Sequence, residues 1–164
     1  PPVAEPGATE AHAPAVTPAP DIAFDAYPPG RCGAIAARLA CDAGSTDDVL
    51  RAEELDLARW QRVHEQWLDR IRAEAARGRK KLLSDYDRAY VDALEATRGP
   101  IALDGYARLA EAAERGAVTG ALGESGLPEG AWPHIHRVWI QRIVGDARLG
   151  KRVRAAIDAL RAEG

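Results

Sequence analysis

The sequence predicts an all-α protein, and three observations carry that expectation. From residue 31 onward the chain is dominated by Ala, Arg, Leu and Glu, which are strong helix formers, and its Gly and Pro fall at intervals that separate helices rather than strands. Residues 60, 64, 67 and 71 recur at the i, i+4, i+7, i+11 spacing of one helix face. Ser45, Asp56, Asp104 and Asp146 stand where N-caps belong, and Gly44, Gly116 and Gly126 where helices should stop. The architecture expected is two tandem, similar helical units of about four helices each, packed as one body behind a disordered Pro/Ala-rich N-terminal tail.

Taken in order, residues 1–30 form that tail or linker. They hold eight of the 11 prolines and four acidic residues, with no Lys or Arg, so the net charge of -3 belongs to them. Such a stretch buries too little apolar area to offset its ordering entropy. Within it, Phe24 and Tyr27 sit in the acidic segment Asp21-Ile22-Ala23-Phe24-Asp25-Ala26-Tyr27. Two roles are open to them, docking into a partner's groove or pinning the tail to its own body. Helices are expected over 31–42, 46–53, 57–77 and 80–96 in a first unit (31–97), and over 105–115, 118–124, 129–144 and 147–162 in a second (98–164). Pro133 sits awkwardly in this scheme unless its helix starts near Trp132.

The two units share a pattern. An offset of 72 residues aligns Trp60 with Trp132, His64 with His136, Trp67 with Trp139, Arg70 with Arg142 and Ile71 with Ile143, and extends to Gly44 with Gly116, Leu50 with Leu122, Leu55 with Leu127 and Gly78 with Gly150. Beyond Gly78 and Gly150 the match needs a one-residue slip. Each unit thus presents a Trp-His-Trp-Ile stripe, and the four indoles are expected to dominate a core otherwise rich in Ala.

Composition excludes several classes. There are only two Cys and no apolar run near the roughly 20 residues needed to span a bilayer, so a collagen, a disulfide scaffold and a membrane protein are set aside. No charged-then-apolar secretory signal is present, and a cytoplasmic location is expected; the start at Pro1 leaves open a signal already removed. Cys32 and Cys41, nine apart, make neither a CxxC couple nor a metal motif, and two reduced thiols are expected.

Candidate chemistry is thin. His64 and His136 are the strongest catalytic candidates, but repetition in both halves suits a packing role better than a unique active site. His134 and His136 diverge on a helix and do not make a metal site, and His64-Glu65 lacks a second His at Leu68. Gly145 to Lys151 has a G-x4-G-K skeleton without the following Ser or Thr and after a helix, and Gly123-Glu124-Ser125-Gly126 falls short of a nucleophile elbow. Asp47-Asp48, Glu53-Glu54 and Asp85, Asp87 and Asp92 read as solvated helix faces. No catalytic residue, metal or cofactor is expected.

Arg79, Lys80 and Lys81, beside Arg77, form the densest basic run, echoed by Lys151 and Arg152 with Arg154. They suit phosphates, an acidic partner surface or simple exposure at helix ends. Residues 118–143 outline a helix-turn-helix, but Glu129, Asp56, Glu53 and Glu54 stand where phosphates would approach, and a body with 22 bases against 21 acids lacks a cationic excess.

The W-x3-H-x2-W-[LI]-x-R-I stripes, with Tyr106-Ala107-Arg108-Leu109 opening the second unit, resemble uncharacterised all-helical repeat segments of large-genome bacteria, some attached to type VI secretion-associated proteins. The resemblance covers roughly residues 33–162, and the first unit departs from it with Ala34 where the second has Tyr106. It implies an accessory or adaptor role near a secretion or assembly machine, with no catalytic residues to carry over. The expected function is therefore a non-enzymatic protein-protein interaction or adaptor module with a protein partner. The alternatives are a helix-turn-helix-like nucleic-acid binder and an enzyme using His64 or His136. Partner identity and oligomeric state are beyond the sequence.

Overall fold

The computed structural model describes residues 24–41 and 46–163. A 3-10 turn at Phe24–Ala26 leads into α1 (Pro29–Cys41), α2 (Thr46–Ala52), α3 (Leu57–Ala76), α4 (Lys81–Arg98), α5 (Leu103–Glu114) and α6 (Val118–Glu124). A second 3-10 turn at Glu129–Ala131 precedes α7 (Trp132–Gly145) and α8 (Ala147–Glu163). Among the described residues there is no strand and no helix long and apolar enough to cross a membrane. The tail expected before Phe24 and the expected helix-end residues Gly44 and Ser45 lie outside the described residues.

Helix ends follow local chemistry. Asp56 Oδ1 accepts from the Arg59 backbone N–H at 2.8 Å and starts α3, and Asp146 Oδ1 accepts from Arg148 and Leu149 at 2.8 and 3.1 Å and starts α8. Gly116 and Gly126 follow α5 and α6 with φ of 74° and 65°, a left-handed turn that glycine enters without a Cβ clash.

Three expectations are corrected. α1 begins at Pro29, whose missing N–H would be unpaired in a first turn anyway, so the folded body takes in residues assigned to the tail. Asp104 lies inside α5, which starts from Ala102 with no side-chain cap bond. The single helix expected over 129–144 divides into a 3-10 turn and α7, which puts Pro133 in the first turn where it breaks no helical bond.

Each half contains four helices, the second with an added 3-10 turn before its third, and the turns after α2 and α6 are alike. α2 and α6, seven residues each, are offset by 72. After α2, Glu54 takes φ 59° and the Leu55 N–H bonds Leu50 O at 2.9 Å; after α6, Gly126 takes φ 65° and the Leu127 N–H bonds Leu122 O at 2.8 Å. The match ends after α3 and α7. Gly78 turns left-handed between α3 and α4, whereas Gly150 lies inside α8, because the Asp146 cap starts that helix directly after α7.

The halves are packed differently. α1 lies so close to α4 that a Cβ on Gly33 would sit 2.3 Å from the Tyr86 carbonyl oxygen. Cys32, Ile35 and Ala37 are buried on α1, and Tyr86, Tyr90, Val91 and Leu94 on α4. In the second half, Gly105 has nothing within 4 Å of its Cβ position, and Val153 is buried on α8 while Leu149 and Ile157 are only partly so. Polar links between α4 and α7 join the halves. Ser84 Oγ donates to Gln141 Oε1 at 3.2 Å, Arg137 grips Asp87, and Arg142 donates to both Glu95 oxygens at 3.3 Å.

Trp60, Trp67 and Trp139 are buried as expected for a core, but Trp132 is only half-buried. Trp67 stacks on Phe24 and Trp139 on Tyr106, each with centroids 4.5 Å apart, and Arg70 and Arg142 cover the two indoles at 5.3 and 5.5 Å. The partner ring comes from the segment before α1 in one half and from α5 in the other. That is where Ala34 and Tyr106 differ.

Candidate functional site

The looser α5–α8 pairing opens a groove of about 740 Å³ in the second half, walled by Tyr106 and Ala110 of α5, Trp132, His136, Ile140 and Ile143 of α7, and Val153 and Ile157 of α8. Its floor is apolar and its rim charged. Arg161 pairs with Glu114 and with Asp158 on that rim, and Arg154 stands beside them. Residues 132, 136, 140 and 144 of α7 follow one another at four-residue spacing along one ridge. Ile140 is 43% and Val144 81% exposed, so the apolar surface continues out of the groove along that ridge.

His136 stands at the inner wall. Its Nδ1 lies 3.1 Å from the Tyr106 hydroxyl, and burial lowers its pKa, with the nearby Arg137 charge adding to the effect. A neutral imidazole accepting the phenol proton at Nδ1 carries its own hydrogen on Nε2. His64 is built by other means. Its Nε2 lies 2.9 Å from the hydroxyl of Tyr86, a residue of α4, and its ring stacks on Trp60 with centroids 4.7 Å apart. Burial lowers the His64 pKa and raises that of Tyr86, which favours a neutral imidazole against a protonated phenol. That arrangement positions two rings and supplies no activated nucleophile.

Sequence reasoning missed the most buried charge. Asp87, assigned to a solvated face, is wholly enclosed: Arg137 donates to its two oxygens at 2.6 and 2.8 Å, and His134 Nδ1 approaches Oδ1 at 2.7 Å. A carboxylate only accepts, so His134 Nδ1 must carry the proton, and the 3.3 Å approach of Arg137 Nη2 to that nitrogen is a close contact, not a second hydrogen bond. Burial disfavours the Asp87 charge, but the bonds from Arg137 and His134 outweigh it and hold the carboxyl below its ordinary range. The overlooked signal was spacing. Residue 87 shares its helix stripe with Tyr86, Tyr90, Val91 and Leu94, all buried.

A smaller cleft of about 350 Å³ lies between α4 and α7 over this pair, lined by Lys80, Leu83, Ser84, Asp87, His136, Arg137, Ile140 and Gln141. It shares His136 and Ile140 with the groove. Asp87 and His136 therefore meet in one cleft, but both Asp87 oxygens are engaged and the acid holds no proton to give.

The other candidates are dispersed. Phe24 stacks on Trp67, and Tyr27 is buried, donating its hydroxyl to Glu53 O at 2.8 Å under Arg31. Glu53 in turn accepts from Arg31 at 2.9 Å and from Arg38, so both rings are spent on the chain's own body. Arg79, Lys80 and Lys81 are exposed at the α3–α4 joint, with Lys81 held by Asp85 at 2.7 Å; Lys151 and Arg152 are exposed on α8. The G-x4-G-K segment runs into α8 and forms no loop. Along the start of α7, His134 and Arg137 turn inward to Asp87 rather than outward as a reading helix requires. Cys32 and Cys41 are unbridged, and burial pushes the Cys32 thiol to about 12. No group of three or more His, Cys, Asp or Glu able to hold a metal occurs among the described residues.

Comparison with protein-family models, curated proteins and solved structures gives no match.

Proposed function

We propose that this chain is a non-enzymatic protein-interaction module, built from a duplicated four-helix unit whose second copy has opened to receive a helix or peptide of a partner. One observation carries the reading. The α5–α7–α8 groove has an apolar floor that runs out to exposed Ile140 and Val144. A helix-lined trough of this size suits a few apolar side chains of an amphipathic segment. The shared helix order, the matched turns at Glu54 and Gly126 and the repeated Trp-His-Trp stripe support duplication. The first copy keeps its rings and Gly33 packed shut, so the interaction role falls to the second. An accessory or adaptor role beside a secretion or assembly machine, which the resemblance implies, is consistent with a module that offers surface rather than chemistry.

The test is selection of binders from a displayed library of random 16-residue peptides on the whole chain. Selected peptides are expected to lose at least tenfold in affinity on Ile140→Asp or Val144→Asp, with the helical circular dichroism unchanged. Binders indifferent to both substitutions would overturn the reading.

A further inference from the structure

The small α4–α7 cleft holds an uncommon set of groups. Lys80 makes no ion pair among the described residues. The Arg137 guanidinium uses Nε and Nη2 on Asp87, which leaves Nη1 without an acceptor among the described residues. Gln141 accepts the Ser84 hydroxyl at Oε1, so its amide hydrogens have no partner among the described residues. His136, bonded to Tyr106 through Nδ1, has Nε2 left over. The one carboxylate lining the cleft, Asp87, already accepts from Arg137 and His134 on both oxygens. The cleft thus presents several unused donors and a net positive charge, Lys80 and Arg137 against the single carboxylate of Asp87, and Ile140 and His136 make its wall continuous with the apolar groove.

Resting on the docking reading above, we infer that the partner segment carries an Asp or Glu side chain whose carboxylate enters the α4–α7 cleft while its apolar residues fill the groove. The carboxylate meets Lys80 and the outer edge of Arg137, and charge-assisted bonds of that kind are stronger than neutral ones. Arg137 is already held in place by Asp87, so little side-chain freedom is lost on binding. The apolar anchors supply contact area and the acid supplies register, because a displaced helix would leave the carboxylate outside the cleft. On the partner helix the acid lies within one or two turns of the anchors, at i, i+3, i+4 or i+7 spacing.

The same displayed 16-residue library provides the test, with affinities measured on the parent chain, Ile140→Asp and Lys80→Glu. Lys80 is exposed and makes no cap bond with α4, so its replacement leaves the fold intact. The inference expects an enriched Asp or Glu at that spacing from large apolar residues, at least tenfold weaker binding to Lys80→Glu, and recovery when the peptide's acid is changed to Lys. Peptides that lose binding on Ile140→Asp, show no enriched acid and bind Lys80→Glu within twofold of the parent would overturn the carboxylate inference and leave the docking reading standing. Peptides indifferent to Ile140→Asp would overturn both.

Discussion

Trp67 and Trp139 lie 72 residues apart, and each has a buried indole N–H with no hydrogen-bond partner among the described residues. Their contribution is therefore contact area. Trp139→Ala is expected to cost about 3–5 kcal/mol through the cavity it leaves, whereas Trp139→Phe sacrifices no hydrogen bond and should cost clearly less; urea unfolding of both variants measures the difference. Asp87 is the opposite case, a charge kept by its partners. Its folded pKa lies below the ordinary 3.8, so the stability it contributes is complete above that value and is lost as pH falls through the folded pKa. His64 and His136 are also lowered, from 6.5, by burial; they favour the fold above 6.5 and withdraw that contribution as pH falls through their folded values. Urea midpoints should accordingly decline in two stages on acidification. The first stage should be smaller in His64→Gln, and the second should be smaller in Asp87→Asn, where Glu53, also held below its ordinary range by Arg38 and Arg31, still contributes. Removing the acid altogether, Asp87→Ala, should cost about 2–3 kcal/mol, less than for a fully enclosed pair because Arg137 reaches water.

At the level of helices, paired substitutions at equivalent sites separate packing from propensity. Gly33→Ala forces α1 from the α4 backbone and should destabilise by about 1–3 kcal/mol, as overpacking does. Gly105→Ala meets open space and should stabilise α5 by about 0.5–1 kcal/mol. Glu54→Gly relieves a left-handed non-glycine residue and should raise stability by about 1 kcal/mol, bringing the end of α2 to the sequence that α6 already has at Gly126. Thermal melts of the three variants test these signs. The helices were legible because their signals are local: the Asp56 and Asp146 caps, the left-handed Gly116 and Gly126, and the apolar stripe of α3. The misread boundaries had competing local solutions. Pro29 opens α1 where a tail was expected, and Ala102 starts α5 without a polar cap.

Across the whole molecule, the α4–α7 seam couples the halves through Asp87, Glu95 and Ser84, so fluorescence and helical dichroism should report one coincident urea transition. Little of the candidate site was legible in the sequence. Trp132, His136 and Ile143 read as ordinary core spacing, and a groove forms there only because α5 and α8 do not close as α1 and α4 do. Such a gap is a long-range outcome with no local signature. Tyr27 and Phe24 show the same limit in reverse, since their anchoring partners Glu53 and Trp67 lie tens of residues away. The orphaned indole hydrogens of Trp67 and Trp139 have one last consequence. Shielded from water and bonded to no described residue, each should swap for deuterium only when the helices around it open, so the two signals form a pair of clocks, one for the Phe24–Trp67 stack and one for the Tyr106–Trp139 stack, read side by side in a single sample.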